Sequence, residues 1–243
     1  MIISHKHKFV CLNPPKTGTG FREKALKPHA DIFQIVGSKD IVRHNTIRNT
    51  FAYVRRNKVD IRGYMIITFV RNPWSRMISW YNMRVSQQFR CDIGLHHKKS
   101  NPPSINEEKW LYETEYRRNH GCFSKDEYND QYEKTSKEML TSDALYRFIN
   151  ETYRSRNPIN SPLEAWLKFR RHEADFVGCL ENMKDDMNKM CELVGITNLK
   201  TPDSEETHII KVHDMIKPIW DDRCSKLIED KEKFVIEIKG YKH

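Results

Sequence analysis

The sequence predicts an α/β protein: three layers around a central parallel sheet, of the P-loop nucleotide-kinase-like kind. Three observations predict it. Short apolar runs rich in β-branched and aromatic residues occupy positions 8–12, 31–36, 64–70 and 175–180. Stretches of helical periodicity follow them, and alternating strand and helix implies parallel strands joined by right-handed crossovers. Two of the strand-to-helix turns carry residues suited to anions, Pro15-Lys16-Thr17-Gly18-Thr19-Gly20 and Arg71-Asn72-Pro73. Open sheets of this kind bind ligands outside the carboxyl ends of their strands.

The first run, Lys8 to Leu12, reads as a buried strand, and Phe21 to Leu26 as the first turns of a helix. Between them the free N–H groups of a helix N-terminus and its dipole favour an anion. Gly18 and Gly20 let the backbone approach a ligand, Lys16 adds a point charge, and Thr17 and Thr19 add hydroxyl donors. Lys16 precedes both glycines, so this is not the G-x-x-x-x-G-K-[ST] loop. A lysine in an ordinary strand–helix turn is the competing reading.

Pro28 stops the first helix, and Asp31 to Val36 reads as the second strand, closed by Gly37. Asn45 or Thr46 can cap a helix running to about Asn57, with Ile47, Phe51 and Val54 on its apolar face. His44 lies just before it, where a surface or capping histidine is the ordinary expectation. Tyr64 to Val70 is the third strand. Asn72 suits an N-cap and Pro73 the first helical position. Trp74, Met77, Ile78, Tyr81 and Val85 then fall at helical spacing, to about Gln88. Arg71 ends the strand and Ser79 stands two turns into the helix, so both can point at one anion.

Residues 89–135 form a polar insertion with poor hydrophobic periodicity. Insertions of this length are functional or disordered, so it reads as a wall of an acceptor site or as a solvated loop. Ser136 to Tyr153 reads as helical. A helix starting at Pro162 is expected to bury Leu163, Trp166, Leu167 and Phe169. Asp175 to Leu180 is a late strand. Met183, Met187, Met190, Cys191 and Val194 form a helical core stripe that Gly195 stops, and Glu181 and Asn182 open that helix, with capping as their plain role. The last helix, roughly Pro218 to Val235, docks through Trp220, Leu227, Ile228 and Phe234.

At 243 residues the chain is expected to be one domain, 1–243, carrying the insertion. A net charge of +9 and a pI near 9.2 favour anionic ligands. The basic residues are scattered, which argues against a nucleic-acid arm. Six cysteines include no C-x-x-C pair, so no metal is expected. Cys91 and Cys122 bracket the insertion and are the pair that an oxidising compartment would let bridge. No run of eighteen apolar residues suggests a membrane span, and no signal peptide opens the sequence. A native N-terminus therefore implies the cytoplasm.

Pro-Lys-Thr-Gly-Thr after the first strand and Arg-Asn-Pro-x-x-Arg-x-x-Ser-x-Tyr after a later one resemble the two cofactor motifs of sulfotransferases. These enzymes use 3′-phosphoadenosine 5′-phosphosulfate, PAPS. Arg43-His44-Asn45-Thr46-Ile47 and Phe176 to Asn182 are similar to further segments of the branch that includes carbohydrate sulfotransferases and bacterial relatives. The resemblance implies the sulfotransferase fold and PAPS as sulfuryl donor without a metal. It implies Lys16, Thr17, Gly18, Thr19 and Gly20 at the 5′ end, and Arg71 and Ser79 at the 3′-phosphate. It gives His44 the role of base and Lys16 that of charge stabiliser, with Arg43 supporting and Lys211 in a loop that can close over the nucleotide. The partner it implies is an acceptor hydroxyl, on a glycan or a small molecule. Gly20-Phe21 departs from the Thr-Ser of many relatives and removes one hydroxyl donor. A Golgi enzyme of this family would carry an N-terminal anchor, so a trimmed luminal domain is the alternative to the cytoplasmic reading. Two rival functions stay open. One is a small-molecule or nucleoside kinase, which lacks its Walker lysine and magnesium aspartate here. The other is a non-catalytic anion- or glycan-binding protein.

Overall fold

A strand that the periodicity leaves unread opens the molecule. The computed structural model describes residues 1–33, 44–92, 133–134, 137–155, 160–200 and 219–243, with side chains omitted for 84–92. In it Ile2–Ser4 forms β1 and Phe9–Cys11 forms β2. They pair as an antiparallel hairpin, Ile2 opposite Cys11 and Ser4 opposite Phe9. The four-residue turn closes with Lys8 in the left-handed region at φ 49°.

The remaining elements follow in order. They are α1 (Thr19–Leu26), β3 (Ile32–Phe33), α2 (Ile47–Arg56), β4 (Met65–Val70) and α3 (Pro73–Asp92). Then come α4 (Ser142–Arg154), α5 (Glu164–Leu167), β5 (Lys168–Phe169), β6 (His172–Glu173) and β7 (Phe176–Cys179). The chain ends with α6 (Met183–Leu193) and α7 (Asp222–Lys239). The main sheet has the order β3-β1-β2-β4-β7.

This sheet corrects the all-parallel expectation. β2, β4 and β7 are parallel, but β1 is antiparallel to both β2 and β3. Strand β3 thus keeps the expected direction while a reversed strand separates it from β2. The physical reason is the N-terminal hairpin. Met1, Ile2 and Ile3 are fully buried, so the first residues fill the sheet position that a simple crossover would have given to β3. The helix expected from Pro162 is also shorter than its apolar spacing suggests. It ends at Leu167, and Phe169 belongs to the β5–β6 hairpin, whose turn uses Arg170 at φ 56°.

By contact the chain divides into two compact units. The first comprises Met1–Arg76, Glu151–Thr207 and Ile228–His243, and the second Met77–Asn150 and His208–Leu227. In the first unit, strand alternation sends side chains to two cores. Ile2, Phe9, Cys11, Ile67 and Phe69 meet Ala25 and Leu26 of α1 and Met187, Met190 and Cys191 of α6. Ile3, Val10 and Leu12 meet Ile47 and Val54 of α2 and Trp166 of α5 on the other face. Val70 packs with Leu163, Leu167 and Val235. Helices therefore cover both faces, as a three-layer α/β fold requires. Each such fully buried large side chain contributes roughly 1.5–3 kcal/mol. Gly178 in β7 is closely enclosed, because a Cβ there would lie 2.3 Å from the Phe69 ring and force it to move.

In the second unit, the Tyr81 hydroxyl of α3 donates to the Met139 carbonyl, and its ring meets Phe148 at 5.1 Å. Leu145 and Ile149 form the buried stripe of α4. Arg223 at the start of α7 bonds Asp143 at 2.7 Å. Apart from 89–92, which belong to α3, and 133–134, the polar insertion lies outside the described residues, as do the loop holding Lys211, Cys122 and the Cys91 side chain.

Candidate functional site

The carboxyl end of β2 runs into the turn at residues 13–18, and the conformation of that turn is set by backbone and buried polar groups. Lys16 takes φ 66° and Gly18 φ 75°. Gly18 is the N-cap of α1 and uses no side-chain cap. Its conformation favours glycine, and a Cβ on it would lie 2.7 Å from Leu180 Cδ1 and Met183 Cε, which would have to move aside. No acidic residue stands in the first turn of α1, which leaves the positive end of the helix dipole uncancelled by its own sequence. Nothing among the described residues comes within 4 Å of a Cβ built on Gly20.

Thr17 and Thr19 are buried, and both hydroxyls donate inward to the Pro14 carbonyl, at 2.8 and 3.1 Å. Their protons shape the turn rather than face outward. Beneath them lies Arg22, wholly buried. It donates to the Thr17 carbonyl and to the Thr17 hydroxyl, the latter at 3.0 Å, and reaches Asn13 Oδ1 at 3.4 Å. Burial lowers its pKa to about 10, so it remains charged at neutral pH.

His44 stands beside the same turn. Its Nδ1 lies 2.6 Å from the Asn13 carbonyl. A carbonyl only accepts, so in the neutral ring Nδ1 carries the hydrogen and Nε2 the basic lone pair. The next residues explain its placement. Thr46 caps α2, its Oγ1 accepting from Asn49 N at 3.3 Å, and Asn45 and Thr46 are buried. Arg43 lies outside the described residues.

Arg71 leaves the carboxyl end of β4, the parallel neighbour of β2, and its Nη1 lies 3.4 Å from the Lys16 carbonyl. Burial lowers its pKa, and the nearby Glu181 carboxylate opposes that shift. Glu181 also accepts from Asn72 N at 2.8 Å and from the Tyr241 hydroxyl at 3.1 Å. It therefore does more than open α6. Asn72 caps α3 as its sequence suggests, accepting from Ser75 N at 3.1 Å. Ser79 is half-buried on α3, in the second unit. The structure thus brings Lys16, Thr17, Gly18, Thr19, His44 and Arg71 around one turn.

Arg22, Glu232 and Tyr153 were not read from the sequence, and Arg76 stood there only as a fixed position of the second motif, with no role assigned. Arg76 is buried and donates to the buried Glu232 at 2.7 Å, to the Pro15 carbonyl at 3.3 Å and to the Ser161 carbonyl at 3.4 Å. Glu232 also accepts from the Tyr153 hydroxyl at 2.9 Å and from Leu163 N at 2.8 Å. Burial holds the Tyr153 pKa well above its usual value and raises that of Glu232, with Arg76 opposing the latter shift. A signal for Arg76 existed in its helical spacing. It shares the inward face of α3 with Pro73, Met77 and Trp80.

A separate cleft of about 890 Å³ opens at the amino end of β4, the opposite end from Arg71. Arg48, Arg55, Arg62, Arg170 and Arg171 surround it above Phe51 and Phe169. It does not include the turn at residues 13–18. Among the described residues no cluster of His, Cys, Asp and Glu could hold a metal, and no helix is long and apolar enough to cross a membrane.

The fold and the site define an α/β protein with a mostly parallel sheet whose neighbouring strands carry a helix N-terminus and an arginine to one turn. Over residues 1–217 the chain matches the model of the Sulfotransferase family, and it belongs to that family. No curated protein and no solved structure matches it.

Proposed function

We propose that the protein transfers the sulfuryl group of PAPS to an acceptor hydroxyl, on a carbohydrate in the first instance. One observation carries the reading. The two sequence motifs meet, with the Arg71 guanidinium reaching the Lys16 carbonyl from the adjacent parallel strand. An arginine beside a helix N-terminus is a donor set for two separated anionic groups, which suits a nucleotide bearing phosphates at its 3′ and 5′ positions.

In this reading Lys16 and the amides of Gly18, Thr19 and Gly20 hold the 5′ end. Thr17 and Thr19 keep the turn in shape through Pro14. Arg71 takes the 3′-phosphate, and Ser79 joins it on the strength of the motif spacing. Bound there, PAPS supplies an activated sulfuryl group. His44 accepts the acceptor's hydroxyl proton at Nε2 as the new S–O bond forms. The electron pair of the broken bond leaves on the 5′-phosphate, where Lys16 and the amides stabilise it. The Asn13 carbonyl holds the His44 tautomer that makes Nε2 the base.

The test is transfer from sulfur-labelled PAPS across a panel of amino-sugar oligosaccharides, phenols and simple alcohols. Label in an oligosaccharide that needs both Lys16 and His44 supports the reading. Label only in phenols or alcohols moves the acceptor class. No transfer to any acceptor, with ATP-dependent phosphorylation instead, would overturn it.

A further inference from the structure

Arg22 is an uncommon residue in its surroundings. It is wholly buried, yet among the described residues no carboxylate comes within ion-pair distance. Its direct partners are dipoles and a ring, and the Glu23 carboxylate opposes the burial shift only from beyond ion-pair distance. Nη1 donates to the Thr17 carbonyl, and Nη2 to Thr17 Oγ1 at 3.0 Å, Asn13 Oδ1 at 3.4 Å and Thr19 Oγ1 at 3.5 Å. The guanidinium carbon lies 4.8 Å from the Phe69 ring centre. Nε is buried with no partner. The Cys11 thiol nearby stays neutral, because burial pushes its pKa up.

Removing a cation from water is costly unless a counter-charge meets it. Neutral acceptors and a ring face return only part of that. The position of the charge is informative. Nη1 lies 3.8 Å from where a Gly18 Cβ would stand, directly under the N-terminus of α1. An apolar residue would suit the same core against Phe69 at less cost.

We propose that Arg22 is the hidden second cation of the 5′-anion cradle, acting through the turn from below, with the bound anion as its counter-ion. This rests on the anion-binding reading of the turn. Lys16 supplies charge from the loop itself, and Arg22 supplies a field that solvent does not screen. Arg22 is a positioning residue in that it does not touch the ligand.

The experiment separates charge from scaffolding. Calorimetric affinities for 3′-phosphoadenosine 5′-phosphate and for adenosine 3′-monophosphate, which lacks the 5′ group, are measured on the wild type, Arg22→Gln and Arg22→Lys. Gln can keep hydrogen bonds to Thr17 without charge, and Lys keeps charge without the fork. The proposal expects the 5′-phosphate's share of affinity to fall on the order of tenfold or more in Arg22→Gln. It expects Arg22→Lys to keep most of that share, and adenosine 3′-monophosphate to bind all three alike. The reverse order, an equal loss in both variants, or no loss in either would overturn it. A variant that does not fold would give no affinity for either ligand, and Arg22→Met, apolar and of similar length, then replaces Arg22→Gln as the uncharged arm. A wild type that ignores the 5′-phosphate would instead defeat the reading of the turn and leave the burial of Arg22 without this explanation.

Discussion

Two fully buried arginines stand in the same unit and behave in opposite ways. Arg76 meets a buried carboxylate, Glu232, which is itself fastened by Tyr153 and the Leu163 amide. Arg22 hydrogen-bonds only neutral groups, with the Glu23 carboxylate beyond ion-pair distance. The first charge is cancelled inside the protein, so its work is structural: it joins the Pro15 carbonyl, α3, α7 and the segment before α5. The second has no carboxylate at ion-pair distance, and in our proposal a bound anion supplies that counter-charge. A buried charge with its partner reads as architecture, and one without a partner reads as a site.

Breaking the paired charge should have the largest effect. Glu232→Ala strands Arg76 in the core and is expected to destabilise by about 3–5 kcal/mol. Urea unfolding measures this, and a loss under 1 kcal/mol would make the pair ornamental. Next come the groups assigned to chemistry. Lys16→Ala and His44→Gln should each lower turnover by roughly 10²-fold or more, with thermal stability close to wild type. In His44→Gln the affinity for the nucleotide product should persist and the acid limb of the pH–rate profile should vanish. Retained turnover would remove His44 as base. A smaller and more selective effect is expected of Gly178→Ala. Its methyl group would displace the Phe69 ring at a cost of about 1–3 kcal/mol. Because that ring underlies Arg22 and not Arg76, nucleotide affinity should drop along with stability. Unchanged affinity would uncouple Phe69 from the cradle.

The sequence was most legible where local chemistry decides structure. The Gly18 turn, the Thr46 cap, the Asn72-Pro73 helix start and the methionine stripe of α6 all appear where spacing and capping rules put them. It was least legible where tertiary context decides. Strand β1 is only three residues long, and its pairing partners on both sides are set by long-range burial of Met1 to Ile3. The β5–β6 turn uses Arg170 rather than glycine or asparagine, so it left no turn signature. Arg22 looks like an ordinary helix-surface residue in sequence, and only its burial reveals it, whereas Arg76 is marked by its motif but its pairing with Glu232 is not. His44 could be named from the family resemblance. The Asn13 carbonyl that selects its tautomer is separated by 31 residues and could not.

The most direct test of the central claim is calorimetric titration with 3′-phosphoadenosine 5′-phosphate beside 5′-AMP and ATP, on wild type and Arg71→Ala. The account predicts tight binding that needs the 3′-phosphate. It also predicts that Arg71→Ala loses roughly 10- to 100-fold, as expected for one charged hydrogen-bonded contact. Equal binding of all three nucleotides, or binding indifferent to Arg71, would contradict it.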